Sequence, residues 1–399
     1  MYSSVFLSSL HVLEVEITWA PSDAYATAID CPKPLPEPVT RTFNPLSLFP
    51  MCPMNAPIHK SHIEGDPNKF QVLELSDTLK VQDIEAVKGT KVHGYLRIMD
   101  RPSGKHEVPI TLINGKGNGP TLVINGGEHG SEYNGPAGAI ALMKELKPED
   151  INGKVIIVPM VNTLAFDSKW MHGNPIDYKD LTGYYVEEIP RGGSGHPKVT
   201  YYVTTTFYKE VLTQAEYRIN LHGGDIEEDL MTGTMYRQSG DEEKDRLNLD
   251  LCRAFGWEWI RESKPRPSKN PMKFPITVGT EAGGMGRCQS DIVEEVIRGC
   301  KNVMKKLGMM KGEPVTPSNA YTYEPYHLYA EHGGFFISNV RAGDLVKESQ
   351  VLGVIKDLFG ETLEEIKVPT DGVIHMVTSP AIWEGDVVYE IGKNIKEIE

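Results

Sequence analysis

The sequence lacks any apolar run of the roughly 18 to 20 residues that a membrane-spanning helix requires, so no membrane span is predicted. It also lacks an excess of positive charge, because 41 Lys and Arg residues stand against 55 Asp and Glu residues and give a formal net charge of −14. Nucleic acids and anionic membrane surfaces recruit Lys and Arg. Neither is therefore an expected partner.

Cysteine is scarce, and no Cys-x-x-Cys pair occurs. The five cysteines are Cys31, Cys52, Cys252, Cys288 and Cys300. An odd, scattered set indicates reduced thiols in a cytoplasmic protein rather than a disulfide framework. Cys252 and Cys300 fall on apolar helix positions and are expected in the core. The amino-terminal residues have no basic start before their apolar ones, so no secretory signal is predicted.

The pattern along the chain divides it into three parts. Residues 1–54 contain a proline cluster, Pro32–Pro38, without sustained periodicity, and are predicted to be an irregular extension. Residues 55–312 alternate strand and helix patterns, which predicts an α/β domain. Residues 313–399 show only short alternating runs, and Gly343-Asp-Leu-Val346 returns as Gly385-Asp-Val-Val388. We expect a small all-β domain there.

Three helices are marked clearly by their apolar periodicity. The first is predicted at 135–146, with Ala137, Ile140, Ala141 and Leu142 on its buried stripe. The second runs from Glu242 to Phe255 and stops at Gly256. The third covers 290–307, with Ser290 as N-cap and Gly308 as its stop.

Polar side chains follow two apolar strands in a pattern that indicates a metal site. His129 and Glu132 come directly after the run Thr121–Asn125, and His222 follows the run Tyr217–Leu221. An isolated His-x-x-Glu is common on surfaces, but here each group stands at a strand end beside glycines. Two histidines and one glutamate leave a fourth tetrahedral position open for water, which is typical of catalytic zinc.

A third strand end supplies a candidate proton carrier. Glu281 closes the run Ile276–Thr280 and precedes a glycine-rich loop. Water activated by a metal needs a group that takes its proton and returns it to the leaving atom, and a carboxylate suits that role. The alternative is that Glu281 is a buried partner of a basic side chain.

These motifs, in this order, resemble those of the succinylglutamate desuccinylase and aspartoacylase family of zinc amidohydrolases. The residues that carry the resemblance are Gly-Gly-Glu-His129-Gly-Ser-Glu132, Ile-Asn-Leu-His222-Gly-Gly and Thr-Glu281-Ala-Gly-Gly. It runs from about residue 70 to the C-terminus. It implies a fold like that of zinc carboxypeptidases, a three-layer sandwich with a mixed central sheet, followed by a lipoyl-like β domain that forms a wall over the cleft or an oligomer contact.

The resemblance also implies roles for single residues. His129, Glu132 and His222 would bind one zinc ion per chain, and Glu281 would be the general base and acid. Asp180, in Asp177-Tyr-Lys-Asp180-Leu181, matches a family aspartate that can hydrogen-bond a ligand histidine.

The sequence departs from the family where substrate is usually held. The Asn and Arg that bind the substrate carboxylate are replaced by Thr182 and Gly183, and an upstream Arg is replaced by His172. Glycine cannot imitate a guanidinium. Either another arginine enters the pocket, or the substrate lacks the usual α-carboxylate, and we favour the second interpretation. The candidate arginines are Arg191, Arg237 and Arg287.

His172 has two interpretations, a donor to the developing oxyanion or an ordinary loop histidine.

The predicted function is a cytoplasmic, zinc-dependent amidohydrolase that removes an acyl group from a small N-acylated amine or amino acid. A metallocarboxypeptidase acting on peptides is the first alternative, and the missing Asn and Arg weaken it. A catalytically silent zinc-binding relative is the second. The sequence leaves a homo-oligomer open.

Overall fold

A computed structural model describes residues 78–183, 185, 198–265 and 273–398. The predicted extension at residues 1–54, with Cys31 and Cys52, lies outside the described residues, as does Arg191. Residues Gln71–Glu399 group as one unit by their internal contacts. The division of the chain at residue 312 stays a prediction.

All α-helices of the described residues lie before residue 307. They are α1 Asn134–Glu145, α2 Thr163–Ser168, α3 Val199–Glu210, α4 Glu242–Phe255 and α5 Ser290–Lys306. The strands up to that point are β1 Thr78–Val81, β2 Ile84–Val87, β3 Thr90–Arg101, β4 Gly104–Asn114, β5 Gly117–Gly126, β6 Asn152–Val158, β7 Tyr217–Leu221, β8 Glu228–Leu230, β9 Gly233–Arg237, β10 Trp259–Ser263 and β11 Ile276–Glu281. After them come β12 Ala320–Tyr329, β13 Gly334–Ser338, β14 Leu345–Val346, β15 Val351–Lys356, β16 Thr362–Lys367, β17 Gly372–Thr378, β18 Ala381–Ile382 and β19 Val387–Ile398.

A mixed sheet of 13 strands forms the centre of the fold. Its strand order is β14-β17-β19-β12-β10-β9-β11-β7-β5-β6-β4-β3, and β8 pairs with β17. The middle strands β11, β7, β5 and β6 run parallel to one another, whereas β9 pairs antiparallel with β11 and β4 pairs antiparallel with β6. The carboxyl ends of β5, β7 and β11 therefore meet at one edge of the sheet.

Apolar side chains on both faces of the middle strands explain why the sheet is covered on both sides. Leu122 and Ile124 of β5 belong to one hydrophobic core with side chains of α1, α4 and α5. Val123 of β5 belongs to a second core, which includes Phe207 of α3. The predicted α/β sandwich with a mixed central sheet is confirmed.

Two of the three predicted helices differ from expectation in detail. In α1, Leu142 is buried as expected, but Ile140 is 58% exposed, and Gly138 and Ala139 are buried in its place. The reason is a close approach to α5, since a Cβ atom at Gly138 would lie 2.5 Å from a methyl carbon of Val296. Helix α5 has Gln289 as its N-cap, so the assignment of Ser290 to that position was wrong.

Helix α4 has the predicted bounds. The side chain of Asp241 accepts a hydrogen bond from the Lys244 amide at its start, and Gly256 ends it with a φ of 101°. Cys252 and Cys300 are buried, as expected.

The secondary-structure elements assigned within residues 320–398 are all strands, as predicted. Strands β13, β15, β16 and β18 form a small antiparallel sheet, and β12, β14, β17 and β19 extend the central sheet. The repeated Gly-Asp phrase is the same turn used twice, because Gly343 and Gly385 have φ values of 93° and 92°. Among the described residues, no helix is both long enough and apolar enough to cross a membrane.

Candidate metal centre and its cavity

Three neighbouring strand ends bring the predicted site residues together. His129 and Glu132 lie in the turn between β5 and α1, His222 directly follows β7, and Glu281 is the last residue of β11. The register places Leu221 of β7 beside both Gly126 of β5 and Thr280 of β11. Residues far apart in the chain therefore meet at one edge, where open α/β sheets place their sites.

The turn after β5 depends on glycine. Gly127 has a φ of 65°, and a Cβ atom there would lie 2.2 Å from the sulfur of Met160. Gly130 donates its amide to the Met171 carbonyl, and a Cβ atom on it would lie 2.4 Å from the Ala165 backbone. The turn is thus packed tightly against the chain around α2, which fixes the direction of His129.

His129, Glu132 and His222 form a compact group of three ligands. Their candidate ligand atoms all lie within 4.8 Å of one another. Nδ1 of His129 contacts one carboxylate oxygen of Glu132, and Nδ1 of His222 lies 3.1 Å from the other. All three side chains are almost completely buried.

The opposite nitrogen of each histidine faces a second carboxylate. Nε2 of His129 lies 3.3 Å from Oδ1 of Asp180, and Nε2 of His222 lies 3.2 Å from Oε2 of Glu128. A proton on Nε2 of His129 would be stabilised by Asp180, which leaves its Nδ1 with a lone pair for a metal. Nε2 of His222 also lies 2.8 Å from the side-chain amide nitrogen of Asn220, so the geometry favours a single tautomer for His129 only.

The buried carboxylate of Glu132 favours a positive charge beside it. Burial lowers the pKa of His222, but the charge of Glu132 and the hydrogen bonds to Glu128 and Glu132 together outweigh burial and raise that pKa to about 10. Burial raises the pKa of Glu132, whereas His129 and His222 lower it to about 2. Two imidazoles and a carboxylate form a common donor set for catalytic zinc. This group could therefore hold a divalent cation such as zinc.

Glu281 lies partly buried at the same cavity. Burial raises its pKa to about 8, and the nearby Glu132 also raises it, while His222 and Arg261 act in the opposite direction. A carboxyl group with a pKa near neutrality can both take up and give back a proton. The alternative that Glu281 is only the partner of a basic side chain finds no direct ion pair among the described residues.

His172 also reaches this site. Its Nε2 lies 3.0 Å from Oδ2 of the buried Asp225, and its ring centre is 4.9 Å from that of His129. The interaction with Asp225 raises the pKa of His172. Ser131 donates its hydroxyl to the other oxygen of Asp225, so the carboxylate that holds His172 is itself held.

A cavity of about 300 Å³ joins these groups to residues from the end of the chain. The lining residues are His129, Glu132, His172, His222, Gly223, Glu228, Leu230, Arg261, Glu281, His327, His375, Met376, Val387 and Glu390. The last five come from β12, β17 and β19. As expected, the β-rich tail forms part of the cleft wall.

The other predicted substrate residues lie elsewhere. Thr182 is exposed and donates both its amide and its hydroxyl to Asp180. Arg237 and Arg287 are exposed and do not line the cavity. Asp180 faces His129, as the family resemblance implied.

A buried polar network behind His222 was not predicted from the sequence. Arg218 donates to Oε1 of Glu128 at 2.8 Å, and Asn220 donates to Oε2 at 3.0 Å. Burial raises the pKa of Glu128, but Arg218 and His222 outweigh it and hold that pKa well below its usual range. A signal existed in the sequence, since Arg218 and Asn220 interrupt a strand that is otherwise apolar. Asp225, Arg261 and Glu390 gave no such local signal.

Comparisons with known proteins find relatives of this chain. A family model described as the succinylglutamate desuccinylase/aspartoacylase catalytic domain matches residues 118–307. The N-α-acetyl-L-2,4-diaminobutyric acid deacetylase of Halomonas elongata is 26% identical over 77% of this chain and 92% of its own length.

Solved structures share the fold. A succinylglutamate desuccinylase from a Silicibacter species has a TM-score of 0.67 and 25% identity, covering 76% of this chain and 94% of its own. The product-bound ectoine utilization protein EutE (DoeB) of Ruegeria pomeroyi has a TM-score of 0.67 and 24% identity, covering 76% of this chain and 95% of its own.

Proposed function

The chain belongs to the succinylglutamate desuccinylase/aspartoacylase family, whose enzymes hydrolyse amide bonds, and we propose that it is a zinc-dependent deacylase. Its substrate is a small N-acylated amine or amino acid. The observation that carries this proposal is the convergence of His129, Glu132 and His222 with Glu281 at three neighbouring strand ends. One zinc ion per chain would be held by the two histidines and Glu132.

When bound, zinc would supply a Lewis acid that lowers the pKa of water and polarises a carbonyl. Glu281 takes a proton from the attacking water on its carboxylate and gives it to the amide nitrogen, which leaves as an amine. His172, held by Asp225, donates a hydrogen bond to the carbonyl oxygen as negative charge develops on it. Asp180 and Glu128 keep the rings of His129 and His222 in place.

The size of the cavity favours a small substrate over a peptide. A volume of about 300 Å³ stands at the lower end of the range for small-molecule sites. Residues of β12, β17 and β19 form part of the cavity wall. The Halomonas relative is named for the removal of an acetyl group from an amino acid, and we infer an acyl group of similar size here.

A panel of N-acetyl, N-formyl and N-succinyl amino acids and amines tests the proposal, with short peptides as the competing substrates. We expect acid release from one of the acyl compounds, loss of that activity with a chelator, and recovery with zinc. Release of C-terminal residues from peptides would favour a carboxypeptidase. Stoichiometric zinc without turnover on any compound would favour a silent relative.

A further inference from the structure

The position of His172 relative to the metal group decides whether it can act in the proposed reaction. The carbonyl oxygen that becomes negative has to lie within reach of both the metal and His172. The ring centres of His129 and His172 lie 4.9 Å apart. The His172 side chain is nevertheless 48% exposed, and it belongs to a loop rather than to a helix or strand. Its place therefore depends on how its neighbours in the chain are held.

The residue before His172 is tied directly to the turn that carries His129. The carbonyl of Met171 accepts a hydrogen bond from the amide of Gly130 at 3.1 Å. Gly130 directly follows His129, so this bond joins the two loops beside both histidines. A single hydrogen bond fixes a distance but not a direction. The loop could still turn about it and carry the His172 ring away from the metal group.

The side chain of Asn162 supplies the second tie. Its Nδ2 donates to the carbonyl of Gly173, the residue after His172, at 2.8 Å. The same nitrogen donates to the carbonyl of Glu128, the residue before His129, at 3.2 Å. A side-chain amide has two N–H donors, and here each one holds the backbone beside a different histidine. The backbone is therefore held on both sides of His172.

The Asn162 side chain is itself fixed. It has no solvent exposure and is the N-cap of α2. Its Oδ1 accepts from the amide of Ala165 at 3.3 Å, and its backbone amide donates to the carbonyl of Gly127 at 2.8 Å. A buried side chain whose polar atoms are all bonded keeps one orientation. The cap and the bridge use opposite ends of the amide, so a substitution can separate the two roles.

We propose that Asn162 is a positioning residue for the reaction. It keeps His172 at the distance from His129 at which the metal and His172 both reach one carbonyl oxygen. Asn162 does not line the cavity, so it acts through His172 rather than on the substrate. This inference rests on the proposed deacylase function. The competing explanation is that Asn162 only stabilises the fold, by capping α2 and by bonding buried carbonyls.

Asn162→Asp removes the bridge and keeps the cap. The carboxylate has nearly the shape of the amide and can accept from Ala165, but it has no N–H to donate to Gly173 or Glu128. A displacement of about 1 Å can cost about 100-fold in rate, so we expect kcat to fall about 10- to 100-fold with little change in KM. Asn162→Ser is the second variant, because a buried carboxylate is costly. Its hydroxyl can cap α2 but is too short to reach both carbonyls, and kcat should fall to a similar extent.

Asn302 on α5 is the matched control. Like Asn162, it has no solvent exposure, and its Nδ2 donates to two carbonyls, those of Phe255 at 3.3 Å and Val315 at 2.8 Å. Its Oδ1 accepts from the Val315 amide at 3.0 Å, and it does not line the cavity. Asn302→Asp therefore removes the same two donations outside the cavity lining. It should lower the midpoint of urea unfolding about as much as Asn162→Asp does, but leave kcat unchanged.

A double variant shows whether Asn162 acts through His172. His172→Ala removes the oxyanion donor, so Asn162→Asp should cause almost no further loss of kcat in that background. Zinc content should stay at the wild-type level in every variant. Losses of kcat that multiply in the double variant, loss of zinc from Asn162→Asp, or an equal loss of kcat in Asn302→Asp would overturn the inference.

Crystal structures of the wild type and the variants separate this inference from the proposed function. The distance between the ring centres of His129 and His172 should grow by about 1 Å in Asn162→Asp and Asn162→Ser. It should remain near 4.9 Å in Asn302→Asp. An unchanged distance in the Asn162 variants would contradict the positioning role even if acyl compounds are cleaved. A longer distance in a protein that hydrolyses none of them would support the positioning of His172 and count only against the deacylase proposal.

Discussion

Replacement of Glu281 by glutamine separates proton transfer from metal binding. The amide has nearly the same shape as the carboxyl group but cannot carry the proton of the attacking water. General acid-base groups typically contribute about two to four orders of magnitude to the rate, so we expect kcat to fall by about that factor. Zinc content should be unchanged, because Glu281 is not one of the three grouped ligands.

The structure also predicts an effect on the metal-free protein. Burial raises the pKa of Glu281 from 4.5 to about 8, so between these values the folded protein binds a proton that the unfolded chain has released. Stability conferred by the neutral carboxyl is therefore present below pH 4.5 and is lost as the pH rises through 8. At about 1.4 kcal/mol for each pKa unit, the loss amounts to at most about 5 kcal/mol.

Urea unfolding of chelated protein between pH 5 and pH 8 measures this effect. The free energy of unfolding of Glu281→Gln should rise relative to that of the wild type as the pH increases. Glu294→Gln, at an exposed position on α5, is the matched control and should follow the wild type in both assays. A kcat within tenfold of the wild type, loss of zinc, or a stability difference that does not change with pH would refute the role of Glu281.

Three further predictions concern the surroundings of the site and the core. Asp180→Asn should weaken zinc affinity about 10- to 100-fold, measured by competition with a chelator, because the hydrogen-bond acceptor of His129 is weakened; unchanged affinity would contradict this. Burial, aided by Arg101, lowers the pKa of His106 to about 4, so wild-type stability should fall by up to about 3 kcal/mol as the pH drops from 6.5 to 4. His106→Asn should remove this acid sensitivity in urea unfolding, and an equal sensitivity in the variant would exclude His106 as its source. Gly130→Ala should lower the free energy of unfolding by about 1 to 3 kcal/mol, because the new Cβ atom would lie 2.4 Å from the Ala165 backbone. Thermal unfolding measures this as a lower midpoint temperature, and an unchanged midpoint would count against the tight turn.

The sequence predicted those features that depend on local signals. Helix α4 has the expected bounds because Asp241 and Gly256 supply a cap and a stop within the helix itself. The expectation for Ile140 of α1 was wrong, because close packing of Gly138 on α5 decides which side of this helix is buried, and periodicity does not record such a contact. The stop of α4 could be predicted from the sequence, whereas the N-cap of α5 and the contacts between helices could not.

The same distinction applies to the site. His129, Glu132, His222 and Glu281 stand at the ends of apolar strands, so their convergence followed from the rule that parallel strands end at one edge. Arg261 and Glu390 meet because β10 and β19 are separated in the central sheet by β12 alone, although 129 positions separate the two residues in the chain. Strand order of that kind is not encoded in spacing, and the second half of the cavity could not have been predicted.

The central claim is that His129, Glu132 and His222 together bind one metal ion. Elemental analysis of purified wild type and His222→Ala, each reconstituted with zinc and dialysed, tests it most directly. The claim predicts close to one zinc per wild-type chain, with occupancy and deacylation both lost in the variant. Full occupancy in His222→Ala, or no bound metal in an active wild type, would contradict it.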